Sequence, residues 1–484
     1  MTRVLQVSAE LFPLLKTGGL ADVAGALPAA LAAAGAEPRL LVPGFPALRE
    51  SLTQECAVAP LALPWSEGRA ALLRGRLPGF AMPVYVLDAP GLFDRPGNPY
   101  ADAAGVAYAD NHRRFALLGL AAARLAEGVD PAWRPQVVHA HDWHAGLACA
   151  HIAASRSRRR TAARTVFTVH NLAYQGLFPA EQFCELGLPP QHYAVEGIEF
   201  YGQLSFMKAG LHFADAITTV SPSYAREIQG PEQGCGLDGL LRRRAGVLHG
   251  ILNGVDYGVW SPAADRGIAR AYDADRPEGK AACKAALQRE CGLLAQAQAP
   301  LFGIVSRLTE QKGLPLVLEA LGELLDAGGQ LVVLGSGEAR LEAAFAEAAA
   351  RHPGRVARRT GMDEGLAHRI YAGSDVMLVP SRFEPCGLTQ LYGLSYGALP
   401  LVHRVGGLAD TVVDCTLEDL AAGTATGFVF DAFTADAYRR ALRRAFALWS
   451  QPAFWAGARR TAMRQRFTWA AAVARYLEVY QGLP

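Results

Sequence analysis

The 484-residue sequence lacks several features that would assign it to a familiar class of protein. Its eight cysteines are scattered and no Cys-x-x-Cys pair occurs, so neither a zinc site nor a disulfide framework is indicated. Every apolar stretch of about 20 residues is interrupted by a charge or a proline, and the N-terminus leads into a predicted strand without a charged-then-apolar leader. We therefore expect a cytoplasmic protein with no membrane partner.

The sequence also lacks an excess of charge of either sign. Lys and Arg number 47 against 45 Asp and Glu, which gives a net charge of +2. This balance is too even for nucleic acid or an anionic membrane to be the main partner, whereas a neutral polymer fits it. Basic clusters occur at 156–160 and 242–244, but no aromatic residues are interleaved with them, which favours solvated loops or helix faces.

The length and the hydrophobic pattern predict two domains. The chain exceeds the roughly 250–300 residues at which a single core stops growing. Short apolar runs alternate with longer alanine-rich helical stretches, which is typical of parallel sheets covered on both faces. We predict an α/β protein with two doubly wound, Rossmann-like sheets, whose ligand would bind at the carboxyl ends of the strands, in the cleft between the domains. The predicted strands are 4–7, 39–42, 84–87, 137–140, 165–169 and 216–220, then 301–305, 330–334, 356–359, 376–379, 399–402 and 427–430.

The predicted domain divisions follow from these strands and from the end of the chain. The N-terminal domain is expected over 1–249 and the C-terminal domain over 250–460. The segment 461–484 is expected to return to the first domain, and it carries a helical apolar pattern at Trp469, Val473, Tyr476, Leu477 and Tyr480.

A cation and two glycines follow the first predicted strand. Lys16, Gly18 and Gly19 lie between that strand and a helix with apolar residues every three to four positions. Glycines allow close approach of a ligand to the backbone, and a helix N-terminus presents unpaired N–H groups to an anion. The motif therefore predicts an anion-binding loop, and a simple tight turn is the alternative.

A similar strand-turn-helix pattern recurs in the second half. Arg307 and Lys312 follow the predicted strand 301–305. A guanidinium bonds phosphate oxygens in pairs and an ammonium acts as a point charge, so together they are suited to a diphosphate. Two solvated surface cations are the alternative.

Polar residues also follow two buried strands of the first half. His141, Asp142 and His144 come directly after the strand 137–140, and His170 with Asn171 follows the strand 165–169. Two histidines and a carboxylate suggest a metal, but a further ligand with suitable spacing is missing, and we predict no metal site. His144 fits a structural role, hydrogen-bonded inside the fold.

The segment after the strand 376–379 combines an acid with an expected helix start. Pro385 is expected to begin the helix, which would leave the N–H groups of Cys386 through Thr389 facing an anion. Glu384, just outside, either caps this helix or binds ligand hydroxyl groups. Cys386 has no base beside it and is not expected to be a nucleophile.

Six motifs in this order resemble the bacterial glycogen synthases and plant starch synthases. They are KTGGLADV at 16–23, HDWHAGL at 141–147, TVHNLAYQG at 168–176, NGVD at 253–256, SRLTEQKGL at 306–314 and PSRFEPCGLTQLYGLSYG at 380–397. The resemblance runs from residue 1 to about residue 480. It implies a GT-B fold and a retaining glucosyltransferase that moves glucose from ADP-glucose to the non-reducing end of an α-1,4-glucan, without a metal or other cofactor.

The resemblance also implies roles for individual residues. Glu384, His170, Asp142, Arg307 and Lys312 would form the catalytic centre, with Glu384 and Asp142 near the reacting sugar and the two cations on the diphosphate. His170 would bond the donor glucose at its 6-hydroxyl or stabilise positive charge through its main-chain carbonyl. Tyr100 would bind the acceptor. The donor would be bound by Lys16, Gly18, Gly19, Asp22, Asn171, Asn253, Met362, Cys386, Gly387, Leu388 and Thr389.

Two positions depart from the family pattern. Met362 stands where an aromatic ring commonly stacks on the nucleotide base, and a polarisable thioether can still pack on a purine face. Pro315 replaces a usual Asp in the helix after Lys312, where a first helical turn tolerates proline. We expect the second change to leave function unaltered.

The residues leave alternative functions and mechanisms open. The same transfer from UDP-glucose and a non-catalytic glucan-binding regulator are the alternative functions. A pyridoxal-dependent phosphorylase would need a Schiff-base lysine in its own motif, and none is found. Front-face substitution, in which the acceptor hydroxyl passes its proton to the departing phosphate, is the predicted mechanism. Double displacement with Glu384 as nucleophile competes with it.

Overall fold

The computed structural model describes residues 1–484 and divides into two compact units. Unit 1 comprises Met1–Gly254 and Trp469–Pro484, and unit 2 comprises Val255–Thr468. The divisions predicted at 249/250 and 460/461 lie a few residues too early. The strand at Leu248–Gly250 completes the sheet of unit 1, and the helix Pro452–Arg464 packs whole into the core of unit 2.

Unit 1 is built around a nine-stranded sheet. Its order is β12-β11-β7-β6-β1-β2-β5-β4-β3, and β8, β10 and β9 form a separate three-stranded sheet. The strands are β1 (Arg3–Val7), β2 (Glu37–Pro43), β3 (Thr53–Ala62), β4 (Arg69–Arg76), β5 (Val84–Asp88), β6 (Val137–His141), β7 (Arg164–Val169), β8 (Leu177–Pro179), β9 (Glu199–Phe200), β10 (Gln203–Ser205), β11 (Ala216–Thr219) and β12 (Leu248–Gly250).

The six strands predicted for this half are all present, but the sheet is not wholly parallel. β3 and β4 extend one edge as an antiparallel pair with register shifts. They were not predicted because their residues, rich in Ala, Arg, Gly and Pro, have weak strand propensity. Pairing with the buried strand β5 stabilises them instead.

Unit 1 has eight helices in its first segment, Met1–Gly254. They are α1 (Gly19–Ala33), α2 (Pro46–Glu50), α3 (Pro90–Phe93), α4 (Asn111–Glu127), α5 (Asp142–Ser157), α6 (Phe206–Phe213), α7 (Pro222–Glu227) and α8 (Asp238–Arg243). The predicted apolar face of α1 is confirmed, because Leu20, Val23, Leu27 and Leu31 are all buried. α5 and α6 approach so closely that a Cβ at Gly146 would lie 2.0 Å from the carbonyl oxygen of Phe206.

Unit 2 contains a six-stranded, fully parallel sheet in the order β15-β14-β13-β16-β17-β18. Its strands are β13 (Leu301–Val305), β14 (Gln330–Leu334), β15 (Val356–Arg359), β16 (Val376–Val379), β17 (Leu399–His403) and β18 (Phe428–Phe430). All six were predicted to within a residue or two. Five of them are almost entirely buried, as expected for strands covered by helices on both faces, whereas the edge strand β15 ends in two partly exposed arginines.

The remaining helices follow in chain order. They are α9 (Gly279–Cys291), α10 (Leu314–Glu319), α11 (Leu321–Asp326), α12 (Ala339–Arg351), α13 (Glu364–Gly373), α14 (Thr389–Tyr396), α15 (Gly406–Thr411), α16 (Leu417–Ala422), α17 (Ala435–Trp449), α18 (Pro452–Arg464) and α19 (Trp469–Gln481). α19 belongs to unit 1, where Val473, Tyr476 and Tyr480 pack with Val23 and Leu27 of α1. None of the helices has the length and apolar composition needed to cross a membrane.

Each main sheet has one point at which the direction of winding reverses. In unit 1 this point lies between β1 and β6, and in unit 2 between β13 and β16. Ligands of doubly wound sheets bind at the carboxyl ends of the strands beside such a point. The segments after β1 and β6 carry Lys16 and Asp142, and those after β13 and β16 carry Lys312 and Glu384. The topology thus brings each pair of predicted segments to one edge of a sheet.

Candidate active site

The glycine loop after β1 holds an anion, and that anion belongs to the chain itself. The buried carboxylate of Glu10 accepts hydrogen bonds from the backbone N–H of Thr17 (2.7 Å) and of Gly18 (3.2 Å). The hydroxyls of Thr17 and Tyr100 donate to its other oxygen at 2.5 and 2.6 Å. Gly18 is therefore not open to a phosphate in this structure, and Gly19 is the first residue of α1.

Lys16 is also paired within its own loop. Its ammonium lies 2.8 Å from Oδ1 of Asp22, in the first turn of α1, and 5.0 Å from the ring centre of Phe12. An ammonium has three N–H donors, and Asp22 occupies one of them. The pair keeps Lys16 at the loop with donors left for a ligand.

Asp142 occupies a strained and buried position at the end of β6. Its φ is +58°, a left-handed conformation that Asp tolerates better than most residues. Its Oδ1 accepts hydrogen bonds from the backbone N–H groups of His170 (3.1 Å) and Asn171 (3.4 Å), which follow β7. Burial raises the pKa of Asp142 to about 7, although these two hydrogen bonds act in the opposite direction. The predicted cluster of Asp142, His170 and Asn171 is therefore assembled.

A buried chain of polar side chains lies behind His170. Nε2 of His170 is 3.0 Å from Nδ1 of His141, whose Nε2 is 2.5 Å from Oε1 of Gln6. Burial lowers the pKa of His170 to about 3 and that of His141 well below its ordinary value, so both rings are neutral near pH 7. The amide oxygen of Gln6 only accepts hydrogen bonds, so Nε2 of His141 is the donor to it. Nδ1 of His141 then accepts a hydrogen bond from Nε2–H of His170. Nδ1 of His170 is then left as an acceptor.

The chain continues to the C-terminal helix. Nε2 of Gln6 lies 3.3 Å from both His139 Nδ1 and the Tyr480 hydroxyl, which is 2.7 Å from the same ring nitrogen of His139. Sequence reasoning considered His141 only as a possible metal ligand and missed Gln6, which is hydrogen-bonded to His141. The available signal for Gln6 was its polarity inside an otherwise apolar strand.

Tyr100 and His144 form a stacked pair at the same edge of the sheet. Their ring centres are 4.8 Å apart with 16° between the planes. Burial and the neighbouring Glu10 raise the pKa of Tyr100 well above its ordinary value, and burial lowers the pKa of His144 to about 3. His144 thus supports Tyr100 by packing. Asn253 is also buried in unit 1, and its Oδ1 makes no hydrogen bond.

In unit 2, Glu384 and Lys312 meet across 72 residues of sequence. Nζ of Lys312 lies 2.7 Å from Oε2 of Glu384, which also accepts a hydrogen bond of 2.8 Å from the Ser381 hydroxyl. Glu384 is 7% exposed, and its Oε1 makes no hydrogen bond within the chain. One carboxylate oxygen is therefore fixed while the other is available to a ligand. Ser381 was not predicted.

The remaining predicted residues of unit 2 lie further out. Arg307 is exposed in the turn after β13. Met362 is 75% exposed and follows Gly361, whose φ is +95° and whose N–H donates to the Ser336 hydroxyl at 2.8 Å. Pro315 lies in the first turn of α10, as predicted.

The helix after Glu384 begins later than predicted. α14 starts at Thr389, not at Pro385, and Gly387 adopts a left-handed φ of +73° in the loop before it. The prediction was wrong because it used proline as a start signal without allowing for this turn. The N–H groups of Gly387 and Leu388 make no hydrogen bonds within the chain, and the Thr389 hydroxyl donates to the carbonyl of Val305 (3.3 Å). The proposed amide donors thus belong mainly to a loop.

The structure contains no cluster of metal-ligating side chains, and a surface cavity of unit 2 lies away from these residues. No group of three or more His, Cys, Asp or Glu is arranged to hold a metal ion. A surface cavity of about 620 Å³ in unit 2 is lined by Pro300, Gly328, Phe446 and Trp449. It lies at the amino ends of β13 and β14, opposite the edge that carries Glu384.

Comparison with known proteins matches most of the chain to two family models. Residues 3–243 match the family model of the starch synthase catalytic domain, and residues 293–460 match that of glycosyl transferases group 1. A glycogen synthase of Variovorax paradoxus is 61% identical over 486 residues, covering 99% of this chain and 98% of the relative. One of Francisella philomiragia is 56% identical over 483 residues, covering 99% and 100%.

Solved structures give the same result. The catalytic domain of starch synthase IV from Arabidopsis thaliana, bound to ADP and acarbose, matches with a TM-score of 0.90 and 29% identity, and the match covers 99% of each chain. Sucrose-phosphate synthase from Thermosynechococcus elongatus, at 19% identity and a TM-score of 0.60, shares the fold. From the motifs, the two switch-point sites and these relatives together, we conclude that the chain belongs to the glycogen and starch synthase family of GT-B glycosyltransferases.

Proposed function

We propose that this chain transfers glucose from ADP-glucose to the non-reducing end of an α-1,4-glucan, with retention of configuration and release of ADP. The observation that carries the proposal is the site around Glu384. A buried carboxylate with one open oxygen lies beside Lys312 and two unpaired backbone N–H groups, those of Gly387 and Leu388. A carboxylate suits sugar hydroxyls and a developing positive charge, and the donors suit a departing phosphate. The starch synthase with a TM-score of 0.90 was solved with ADP and acarbose.

In this proposal the residues of unit 2 neutralise the leaving diphosphate. Arg307 offers a planar fork for two phosphate oxygens, Lys312 adds a point charge, and the N–H groups of Cys386 through Thr389 add backbone donors. Each such charge-assisted hydrogen bond contributes about 1.5–3 kcal/mol. Met362 would pack on the adenine ring through its exposed thioether.

Further residues that we propose to contact the sugars belong to unit 1. Nδ1 of neutral His170, as an acceptor, suits a donor hydroxyl such as the 6-hydroxyl of glucose, and Asp142 holds the backbone of His170 and Asn171 in place. Asn253, with its unpaired amide oxygen, would bind the donor, and Tyr100 the acceptor glucan. Lys16 would bind the donor phosphates once it exchanges Asp22 for phosphate oxygens, and Gly18, Gly19 and Asp22 would shape the donor-binding loop around it.

The proposed reaction is front-face substitution. The acceptor 4-hydroxyl attacks C1 of glucose on the face from which the diphosphate departs, and its proton passes to a departing phosphate oxygen. The C1–O bond to phosphate breaks as the new glycosidic bond forms, so ADP leaves with the proton. Glu384 then stabilises the transition state electrostatically and need not become bonded to the sugar.

Parallel incubations test the proposal directly. The pure protein is given glycogen with ADP-glucose or with UDP-glucose, and ADP or UDP release is followed together with incorporation of labelled glucose. We expect turnover with ADP-glucose to exceed that with UDP-glucose and the new linkages to be α-1,4. Faster turnover with UDP-glucose would establish the alternative donor. Glucan binding without turnover on either donor would establish the regulator instead.

We also propose that the reaction takes place in the cytoplasm. All eight cysteines are free thiols, five of them buried, which fits a reducing compartment. Fractionation of cells that express the protein, with activity assayed in each fraction, tests this location. Activity confined to an oxidising compartment would contradict it.

A further inference from the structure

Gln390 lies directly beneath the loop that follows Glu384. It is the second residue of α14 and is fully buried, with 0% exposure. Its Nε2 donates hydrogen bonds to the carbonyl oxygens of Cys386 and Gly387, both at 2.9 Å, and lies 3.3 Å from Oγ1 of Thr411. Because carbonyl oxygens only accept, the NH₂ group of Gln390 must face them. The orientation of this amide is therefore fixed by chemistry.

Holding these two carbonyls determines where the next two N–H groups point. In a trans peptide the C=O and the following N–H lie in one plane and point in opposite directions. With the Cys386 carbonyl turned toward Gln390, the N–H of Gly387 points away from it, and the Gly387 carbonyl fixes the N–H of Leu388 in the same way. Gly387 is left-handed and Leu388 is right-handed (φ −106°, ψ −28°), a succession that forms a concave anion site from consecutive N–H groups.

The position of Gln390 carries an energetic cost that a purely structural residue would avoid. Oε1 of Gln390 is buried without a hydrogen bond, and a Cβ at Gly387 would lie only 2.2 Å from it. A buried unpaired amide oxygen is unfavourable. An apolar side chain at position 390 would remove that oxygen but would leave the carbonyls of Cys386 and Gly387 without donors. Because Gly387 is conformationally permissive, the peptide between Cys386 and Gly387 could then flip.

We propose that Gln390 is the positioning residue of the donor phosphate site. By holding the carbonyls of Cys386 and Gly387, it aims the N–H groups of Gly387 and Leu388 at the phosphate that is bonded to glucose. It touches neither sugar nor phosphate itself. The inference rests on the proposed function, since that proposal places the sugar at Glu384 and hence the adjoining β-phosphate at these neighbouring amides.

The test compares ADP with AMP, which lacks the β-phosphate. Gln390→Met keeps the length of the side chain and removes its donors. We expect its Kd for ADP, measured by calorimetry, to rise about 10- to 100-fold, the loss typical of one or two hydrogen bonds to a charged group. Its Kd for AMP should change less than about threefold, because AMP does not reach those amides. Equal weakening of both nucleotides, or weakening of neither, would overturn the inference.

A matched control and a measurement on the unaltered protein complete the test. Gln288 is also buried in unit 2 and donates to the amide oxygen of Gln330 (2.8 Å) and to the Gln296 carbonyl (3.1 Å), at the opposite edge of the sheet. Gln288→Met should lower the melting temperature and leave the ratio of the ADP and AMP dissociation constants unchanged. Gln390→Leu replaces the first variant if Gln390→Met does not fold.

Hydrogen exchange in the unaltered protein separates this inference from the proposed function. The amides of Gly387 and Leu388 should be protected by ADP more than by AMP. Absence of any protection by ADP would contradict the proposed phosphate site. Protection together with normal ADP affinity in the Gln390 variants would refute only the role of Gln390.

Discussion

At the scale of single residues, the site is defined by charges that already have partners. Lys312 is paired with Glu384 and Lys16 with Asp22, each at under 3 Å. A ligand that binds either cation must therefore replace or share an existing contact, and both ammonium groups are already oriented in this structure. Pairing of this kind limits side-chain motion and holds the carboxylate of Glu384 in place.

The first prediction concerns Glu384. Glu384→Ala should lower kcat by several orders of magnitude and leave the Kd for ADP within a few-fold, because the carboxylate is proposed to act on the developing charge in the transition state. Initial rates and calorimetry measure the two quantities. Glu384→Gln, which keeps an acceptor for Ser381, serves as the matched variant and should also be slow. Ordinary turnover in folded Glu384→Ala protein would contradict the assignment.

The second prediction uses the pKa of Asp142. Burial raises that pKa to about 7 from an ordinary value near 4, so the folded state binds more protons than the unfolded state between these limits. The resulting contribution to stability is fully present below about pH 4 and is lost as the pH rises through about 7. In Asp142→Asn, whose side chain also tolerates a left-handed φ, the contribution is absent.

Melting temperatures of the original protein and of Asp142→Asn, measured from pH 4.5 to 8, test this. As the pH rises, the melting temperature of Asp142→Asn should increase relative to that of the original protein. A constant difference across this range would show that Asp142 is ionised throughout.

At the scale of secondary-structure elements, the start of α15 packs closely against the segment that carries Glu384. The N–H of Gly407 donates to the carbonyls of Glu384 and Pro385, both at 3.1 Å. A Cβ at Gly407 would lie 2.1 Å from the carbonyl oxygen of Cys386, which is backbone that cannot move aside alone. Contact between the ends of β16 and β17 thus shapes the loop before α14.

The third prediction follows from this contact. Gly407→Ala should displace the loop, raise the KM for ADP-glucose and lower kcat, while the protein remains folded. Gly457→Ala is the control, since nothing lies within 4 Å of a Cβ at that position in α18. Alanine there should stabilise the helix by about 0.5–1 kcal/mol and leave the kinetics unchanged. Normal kinetics in the Gly407 variant would show that the loop adapts.

The fourth prediction concerns α19 and its buried hydroxyl. Tyr480 is hydrogen-bonded to His139 and Gln6, so Tyr480→Phe should lower the free energy of unfolding by about 1–3 kcal/mol. Tyr438→Phe is the contrasting variant, because the hydroxyl of Tyr438 is buried without a hydrogen bond and its removal should be neutral or stabilising. Equal effects of both substitutions on thermal unfolding would contradict the importance of the polar chain.

At the scale of the whole molecule, the two units differ in their buried histidines. Burial lowers the pKa of His139, His144, His151 and His170 to about 3 and that of His141 well below its ordinary value, and all five lie in unit 1. In the unfolded chain these side chains bind protons below about pH 6.5. Stability is therefore fully present above pH 6.5 and is lost as the pH falls toward 3. The contribution of Asp142 to stability instead increases as the pH falls, but it is a single group and the histidines are five.

The fifth prediction is that acid destabilises unit 1 before unit 2. Lowering the pH from 7.5 to 5 should shift the unfolding of segments from unit 1 to lower temperature by more than those of unit 2. Hydrogen exchange followed by mass spectrometry, corrected for the intrinsic rate at each pH, assigns the loss of protection to each unit. Parallel loss in both units would show that they unfold together.

Much of this organisation could be predicted from local sequence. Strands such as 301–305 and 376–379 are short apolar runs bounded by polar turns, and burial on both faces keeps that pattern strong. The glycine loop, the polar residues after β6 and β7 and the six family motifs were readable in the same way. The sequence by itself thus determined the α/β class, twelve parallel strands and the family, because each depends on the chemistry of adjacent residues.

Only the tertiary structure decided how those residues are paired. Glu10 fills the glycine loop, Lys312 meets Glu384 across 72 positions, and Gln390 fixes the amides before α14. The edge strands β3 and β4 likewise form because β5 offers unpaired backbone groups, not because their own residues favour strands. Hydrogen bonds and ion pairs depend on distances of about 3 Å, and such distances between remote residues are set by how the sheets and helices pack.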